Sequence, residues 1–165
     1  MEFFGGTINY SLLTVNGQWL KVSSSRIIRG MLRERLLRVL AVLVIGIAAL
    51  HIGATVFSLY WTLWWYDWIL HLLGGIFLAL LVFWVRFLSG YLPAPSPPPA
   101  QRIFAFILFW TLLFGIGWEM FERLLGHTWS IEGYWLDTAI DLALDFTGGL
   151  VGFLFVVRRY PSHVG

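Results

Sequence analysis

Four apolar stretches dominate this chain and leave it few folds to choose from. They run over about residues 39–60, 68–88, 103–125 and 135–157. Crossing the hydrocarbon core of a bilayer takes roughly 20 residues of helix, and each stretch reaches that length. Within hydrocarbon only helices and closed barrels satisfy every backbone N–H and C=O, and apolar runs this long favour helices. Only 12% of the residues are charged and 59% are hydrophobic, whereas soluble domains carry about 25% charged residues. The expectation is an all-α, four-span transmembrane helical bundle, multi-pass in a bacterial or archaeal inner membrane.

The basic residues orient it. Lys21, Arg26, Arg29, Arg33, Arg35 and Arg38 precede the first span, and Arg158 and Arg159 follow the last. Arg86 and Arg102 flank the proline-rich connection Ser89–Gln101. The connections Trp61–Asp67 and Gly126–Tyr134 contain no Lys or Arg. By the bias of basic residues toward the cytoplasm, both termini are expected inside and those two connections outside. The net charge of +2 then belongs to flanks beside anionic lipid, not to a nucleic-acid surface. With no cysteine, disulfides, thiol chemistry and sulfur ligands are excluded. Residues 1–30 stand apart. Asn16-Gly17 between two apolar-containing runs is a hairpin signal, and the expectation is a small, poorly ordered appendage ahead of a membrane domain over 31–160.

Seven of the nine acidic residues fall at one end of the expected bundle: Asp67, Glu119, Glu122, Glu132, Asp137, Asp141 and Asp145. Asp67 and His71 are four apart, and Glu119 and Glu122 three apart, so each pair shares a helix face. Asp137, Asp141 and Asp145 follow at i, i+4 and i+8, a stripe descending roughly 12 Å at 1.5 Å per residue. Plainer roles exist for some of them. Asp67 and Asp137 suit helix N-termini through the macrodipole. Glu132 and His127 fit a solvated loop. A lone His51 in span one more often completes an interhelical hydrogen bond than binds a ligand. Arg123 stands at the right spacing to pair with Glu119. One arginine does not offset so many carboxylates, each costing about 2.5–3.5 kcal/mol at membrane depth. A bound cation or protons must balance them. Carboxylates suit Mg²⁺, Mn²⁺ or Ca²⁺, and an added imidazole admits Zn²⁺ or Fe²⁺. The Gly148/Gly152 pair, with Gly74, Gly75, Gly115 and Gly117, points to close helix contacts.

The elements Tyr66-Asp67-x-x-x-His71-x-x-x-Gly75, Glu119-x-x-Glu122 and Asp137-Thr-x-x-Asp141, followed by Gly148-Gly149, resemble the YjdF-type inner-membrane family and, more loosely, VanZ-like proteins. The resemblance covers about residues 64–152. It carries over Asp67, His71, Glu119, Glu122, Asp137 and Asp141; Asp145 lies outside the pattern. It implies a membrane protein and adds little about activity.

The function expected from the clustering is a membrane-embedded, metal-supported site on the extracytoplasmic side. It would act, by hydrolysis, on a lipid-linked or envelope substrate. His71, Glu119, Glu122 and Asp141 are the expected ligands of a divalent metal (Zn²⁺, Mg²⁺ or Mn²⁺), with Asp67 and Asp145 as catalytic groups. The alternatives are proton- or cation-coupled transport along the acidic stripe, and a non-catalytic bundle that assists a partner or forms a homo-oligomer. The bilayer is the expected environment in every case.

Overall fold

Among the described residues four helices are long and apolar enough to cross a membrane: Gly30–Val56, Tyr66–Leu88, Ala100–Leu124 and Tyr134–Arg159. They come from a computed structural model that describes residues 10–15, 18–92, 98–125 and 133–160, with side chains from Gly30 onward. Asn16-Gly17, Pro93, Pro95, Pro97, His127 and Glu132 lie outside the described residues. The four-span all-α bundle expected above is the architecture seen.

Two short strands precede it. β1 (Tyr10–Val15) pairs antiparallel with β2 (Gln18–Ser23), Tyr10 opposite Ser23 and Val15 opposite Gln18. α1 (Ser24–Val56) follows without a gap. It starts well before the expected residue 39, since the run Arg26–Arg38 is built from good helix formers. It stops at Val56, short of the expected Tyr60. Ser58 takes a left-handed backbone, φ 55°, which no continuing helix tolerates. A single turn, α2 (Leu59–Thr62), leads into α3 (Tyr66–Phe83), which ends in a π-helical turn at Trp84–Leu88. α4 (Ala100–Leu124) begins directly after Pro99, whose fixed φ suits a helix entry. α5 (Tyr134–Arg159) begins after Gly133, φ 98°. Arg158 and Arg159 sit in its last turn, where the helix dipole favours cations.

The bundle has two unlike halves. At the end carrying the basic flanks, Leu36 and Leu40 of α1 pack with Leu80 and Phe83 of α3, Ile107 of α4 and Val156 of α5. Arg33 lies over the Trp84 ring, 5.9 Å from its centroid, a cation–π contact tying α1 to the π-helical turn. At the other end, beside the buried Ala54 and Tyr66, lie four buried ionisable side chains: His71, Glu119, Asp141 and Asp145. Large apolar side chains such as Ile45, Ile52, Phe109 and Leu124 are 60% exposed or more. In water such a surface would aggregate; against lipid it is the natural exterior.

α5 packs chiefly on α3 and then on α4. Lipid removes the hydrophobic drive between helices, so close backbone approach takes its place. Gly148 permits it: a Cβ there would lie 2.8 Å from the Ile76 nitrogen and 2.9 Å from the Gly75 Cα. Gly152 meets Ala79 on the same side, and Gly149 meets Leu108 and Thr111 of α4 on the other. The α3–α5 crossing sets His71 of one helix beside Asp141 and Asp145 of the other.

Candidate functional site

His71 is the hub. Its Nε2 faces Asp67 Oδ2 at 3.6 Å, Asp141 Oδ1 at 3.8 Å and Glu119 Oε1 at 3.9 Å. Its Nδ1 faces Asp145 Oδ1 at 3.4 Å. Three helices supply these groups: α3 gives Asp67 and His71, α4 gives Glu119, α5 gives Asp141 and Asp145. By helix rise, His71 and Glu119 sit about 8 Å from the ends of their helices and Asp145 about 16 Å along α5. All but Asp67 are at least nine-tenths buried.

The distances to Nε2 are too long for hydrogen bonds, which lie at about 2.7–3.2 Å. They are close to the separation of two ligands on one ion: metal–ligand bonds of about 2.0–2.2 Å place tetrahedral neighbours roughly 3.4 Å apart. Two of the three oxygens, Glu119 Oε1 and Asp141 Oδ1, are buried and have no hydrogen-bond partner among the described residues. Leaving buried acceptors unpaired is costly, and both point at the same nitrogen. Four carboxylates face one imidazole, so with a protonated ring and every carboxylate ionised three negative charges would remain, to be met by a cation or by protons. The pairing of Arg123 with Glu119 does not form. Its guanidinium lies 4.3 Å from the Tyr134 ring centroid and 5.5 Å from that of Trp135.

The remaining oxygens are held. Glu119 Oε2 accepts a 2.7 Å hydrogen bond from the Thr138 hydroxyl. The Asp145 carboxylate fits only because residue 115 lacks a side chain, since a methyl group there would overlap Asp145 Oδ2. Among the described residues two groupings could each hold an ion: Asp67, His71 and Asp141, or His71, Glu119 and Glu122, with one donor atom per residue within 4.8 Å of the others. Glu122 is half-buried and lines an adjoining cavity of about 460 Å³ together with Asp67, His71 and Asp145.

All six expected site residues are thus brought to one place. Asp137 lies one turn from Asp141 on α5 and is half-buried. His51 stays out of the His71 cluster, and its Nδ1 is 2.7 Å from the Tyr60 hydroxyl. Tyr60 also lines the cavity. Its phenol is pushed well above the ordinary tyrosine range, by burial first and then by the charges of Asp67 and Glu122. Thr138, Tyr60 and the seat that Gly115 makes for Asp145 escaped sequence reasoning. Thr138 left a trace inside the Asp137-Thr-x-x-Asp141 element, and Gly115 only among the glycines read as close helix contacts.

Fold and site together define an integral membrane protein of four apolar helices with a buried His/Asp/Glu cluster. The chain belongs to the family described as "Predicted membrane protein (DUF2238)", whose model matches residues 9–161. No curated protein and no solved structure matches it.

Proposed function

We propose that the His71 cluster is a divalent-metal centre that hydrolyses a lipid-linked or envelope substrate from the extracytoplasmic side. The observation that carries this is the convergence of three carboxylate oxygens on His71 Nε2, two of them buried without another hydrogen-bond partner among the described residues. One nitrogen and several carboxylate oxygens suit Zn²⁺, Mn²⁺ or Mg²⁺. The basic flanks favour a cytoplasmic position for the opposite end of the bundle. Membership of the family agrees with the YjdF-type resemblance.

The geometry supports a division of labour. His71, Asp141 and Asp67, the last expected above as a catalytic group, would hold the ion, with Glu119 facing the same nitrogen from α4. Asp145, expected above as a catalytic group, is a positioning residue: it faces the other ring nitrogen, as the outer carboxylate of a metal-bound histidine does. Glu122, expected above as a ligand, faces the cavity and serves as the base. The ion would supply a water acidic enough to attack at neutral pH. Glu122 would accept a proton from the attacking water as the new bond to the ester carbon or phosphorus forms, and would return it to the departing oxygen as the old bond breaks.

Transport fits less well. Beyond Asp145, toward the basic end, the buried polar side chains among the described residues are the hydroxyls of Thr111 and Ser89, with no buried carboxylate or histidine, which favours a one-sided site over a pathway.

Metal analysis of the purified protein tests the centre. The wild type should retain stoichiometric divalent metal, and Glu119→Gln and Asp141→Asn should lose it. Equal, negligible metal in all three ends the reading. With metal-loaded protein and a total membrane-lipid extract, mass spectrometry should find released head groups, absent with Glu122→Gln. No product from either protein would remove hydrolysis.

A further inference from the structure

The cavity beside the centre has a character the carboxylates do not explain. Its long walls are apolar: Val44 and Ile47 of α1, Phe77 and Leu78 of α3, Phe114 and Trp118 of α4. Its polar groups gather at one end, where Asp67, His71, Glu122 and Tyr60 meet. From His71 down to Phe77 the wall runs about 9 Å along α3. A volume near 460 Å³ falls within the roughly 300–1,000 Å³ of small-molecule sites.

Two features say how it is filled. Phe114 and Trp118 line the cavity and are also 51% and 46% exposed. The cavity is open, not enclosed, and these two α4 side chains stand at its accessible surface. Adjacent glycines also do opposite things. A Cβ on Gly75 would run into the Asp145 backbone, while one on Gly74, in the cavity wall, meets nothing within 4 Å. Gly74 keeps space open next to His71 instead of closing a helix contact.

We propose that this cavity takes the hydrocarbon chain of a membrane lipid, admitted sideways from the bilayer between α1 and α4. The lipid's polar group then lies against the His71 centre and the Tyr60 hydroxyl, which His51 holds in place. Apolar walls with a single polar end match an amphiphile, and a water-soluble substrate would leave those walls uncovered. As a statement about substrate this rests on the metal-hydrolase reading; as a statement about binding it does not.

The test is photocrosslinking of the full chain, in vesicles containing a phospholipid with a diazirine on its acyl chain, read by peptide mass spectrometry alongside metal content. Expected are crosslinks at Val44–Ala48 and Phe114–Trp118 that disappear in Gly74→Leu, with metal retained. Ala48→Phe, filling the slot from the opposite wall, should do the same and serves if Gly74→Leu loses metal. Crosslinks unchanged in a metal-retaining variant, or confined to the outer faces, overturn the proposal. If Ala48→Phe also loses metal, the slot is not separable from the centre, and the proposal falls. Slot crosslinks in a wild type without metal would uphold the lipid site and sink the metal centre alone.

Discussion

The Asp145 carboxylate sits against a residue with no side chain, and this makes Gly115 as much a part of the site as any charged group. Gly115→Ala should force Asp145 off His71 Nδ1. Overpacking of this kind costs about 1–3 kcal/mol, and a lost outer partner weakens metal binding about 10–100-fold. Thermal unfolding in detergent and metal titration read the two effects separately. Thr138→Val removes the bond to Glu119 Oε2 at nearly constant volume. It should cost about 1–3 kcal/mol for the unpaired buried acceptor and weaken the metal more than Gly117→Ala, whose added methyl meets nothing within 4 Å. Tyr60 gives a pH signature. Its folded pKa lies above the ordinary value of about 10, so the folded state keeps a proton that the unfolded chain has lost. The resulting stability is fully present below pH ~10 and drains away as pH rises toward the folded value. Denaturation across that range should show the loss in the wild type and its absence in Tyr60→Phe. Sequence spacing exposed the charged residues, because i, i+4 pairs share a face whatever the neighbours are. Thr138 and Gly115 act across a helix crossing, and one chain's spacing does not say which faces meet.

At the scale of the helices, α5 is the wedge, with glycines on both of its packed sides. Gly148→Ala drives a methyl into α3 beside Ile76 and Gly75. The helices must separate, carrying His71 away from Asp141 and Asp145 together. The expected result is destabilisation by about 1–3 kcal/mol with loss of metal. Gly117→Ala in α4 should instead gain up to about 1 kcal/mol from helix propensity. Unfolding of the two variants side by side checks the contrast, and equal behaviour would mean that the α3–α5 crossing is not what assembles the site. The Gly148/Gly152 spacing and the lengths of the spans were legible, since both follow from composition along one helix. The break of α1 at Ser58 and the π-helical turn at Trp84–Leu88 were not. Serine carries no preference for a left-handed backbone, and a π turn keeps the same apolar residues as an α turn.

The molecule as a whole is polarised along its length. Apolar packing and the basic residues Arg33, Arg86, Arg102 and Arg159 occupy one end, and the His/carboxylate centre occupies the other. Charge drives this arrangement in opposite ways at the two ends. Arginines beside anionic lipid gain about 1 kcal/mol each near the surface and resist translocation. The carboxylates carry no such bias and reach membrane depth only where a counter-charge meets them. Insertion should therefore fix the centre's compartment through residues that never touch it. The chain has no cysteine, so single cysteines report topology cleanly. Trp64, 63% exposed at the polar end, should become labelled by a membrane-impermeant maleimide in intact cells as Trp64→Cys. Gln101→Cys, exposed at the start of α4, should react only after permeabilisation. The reverse pattern would place the centre in the cytoplasm and withdraw an envelope substrate, while leaving its coordination chemistry untouched. Replacing Arg158 and Arg159 with glutamine should leave the pattern unchanged, because six basic residues precede the first crossing and only these two follow the last.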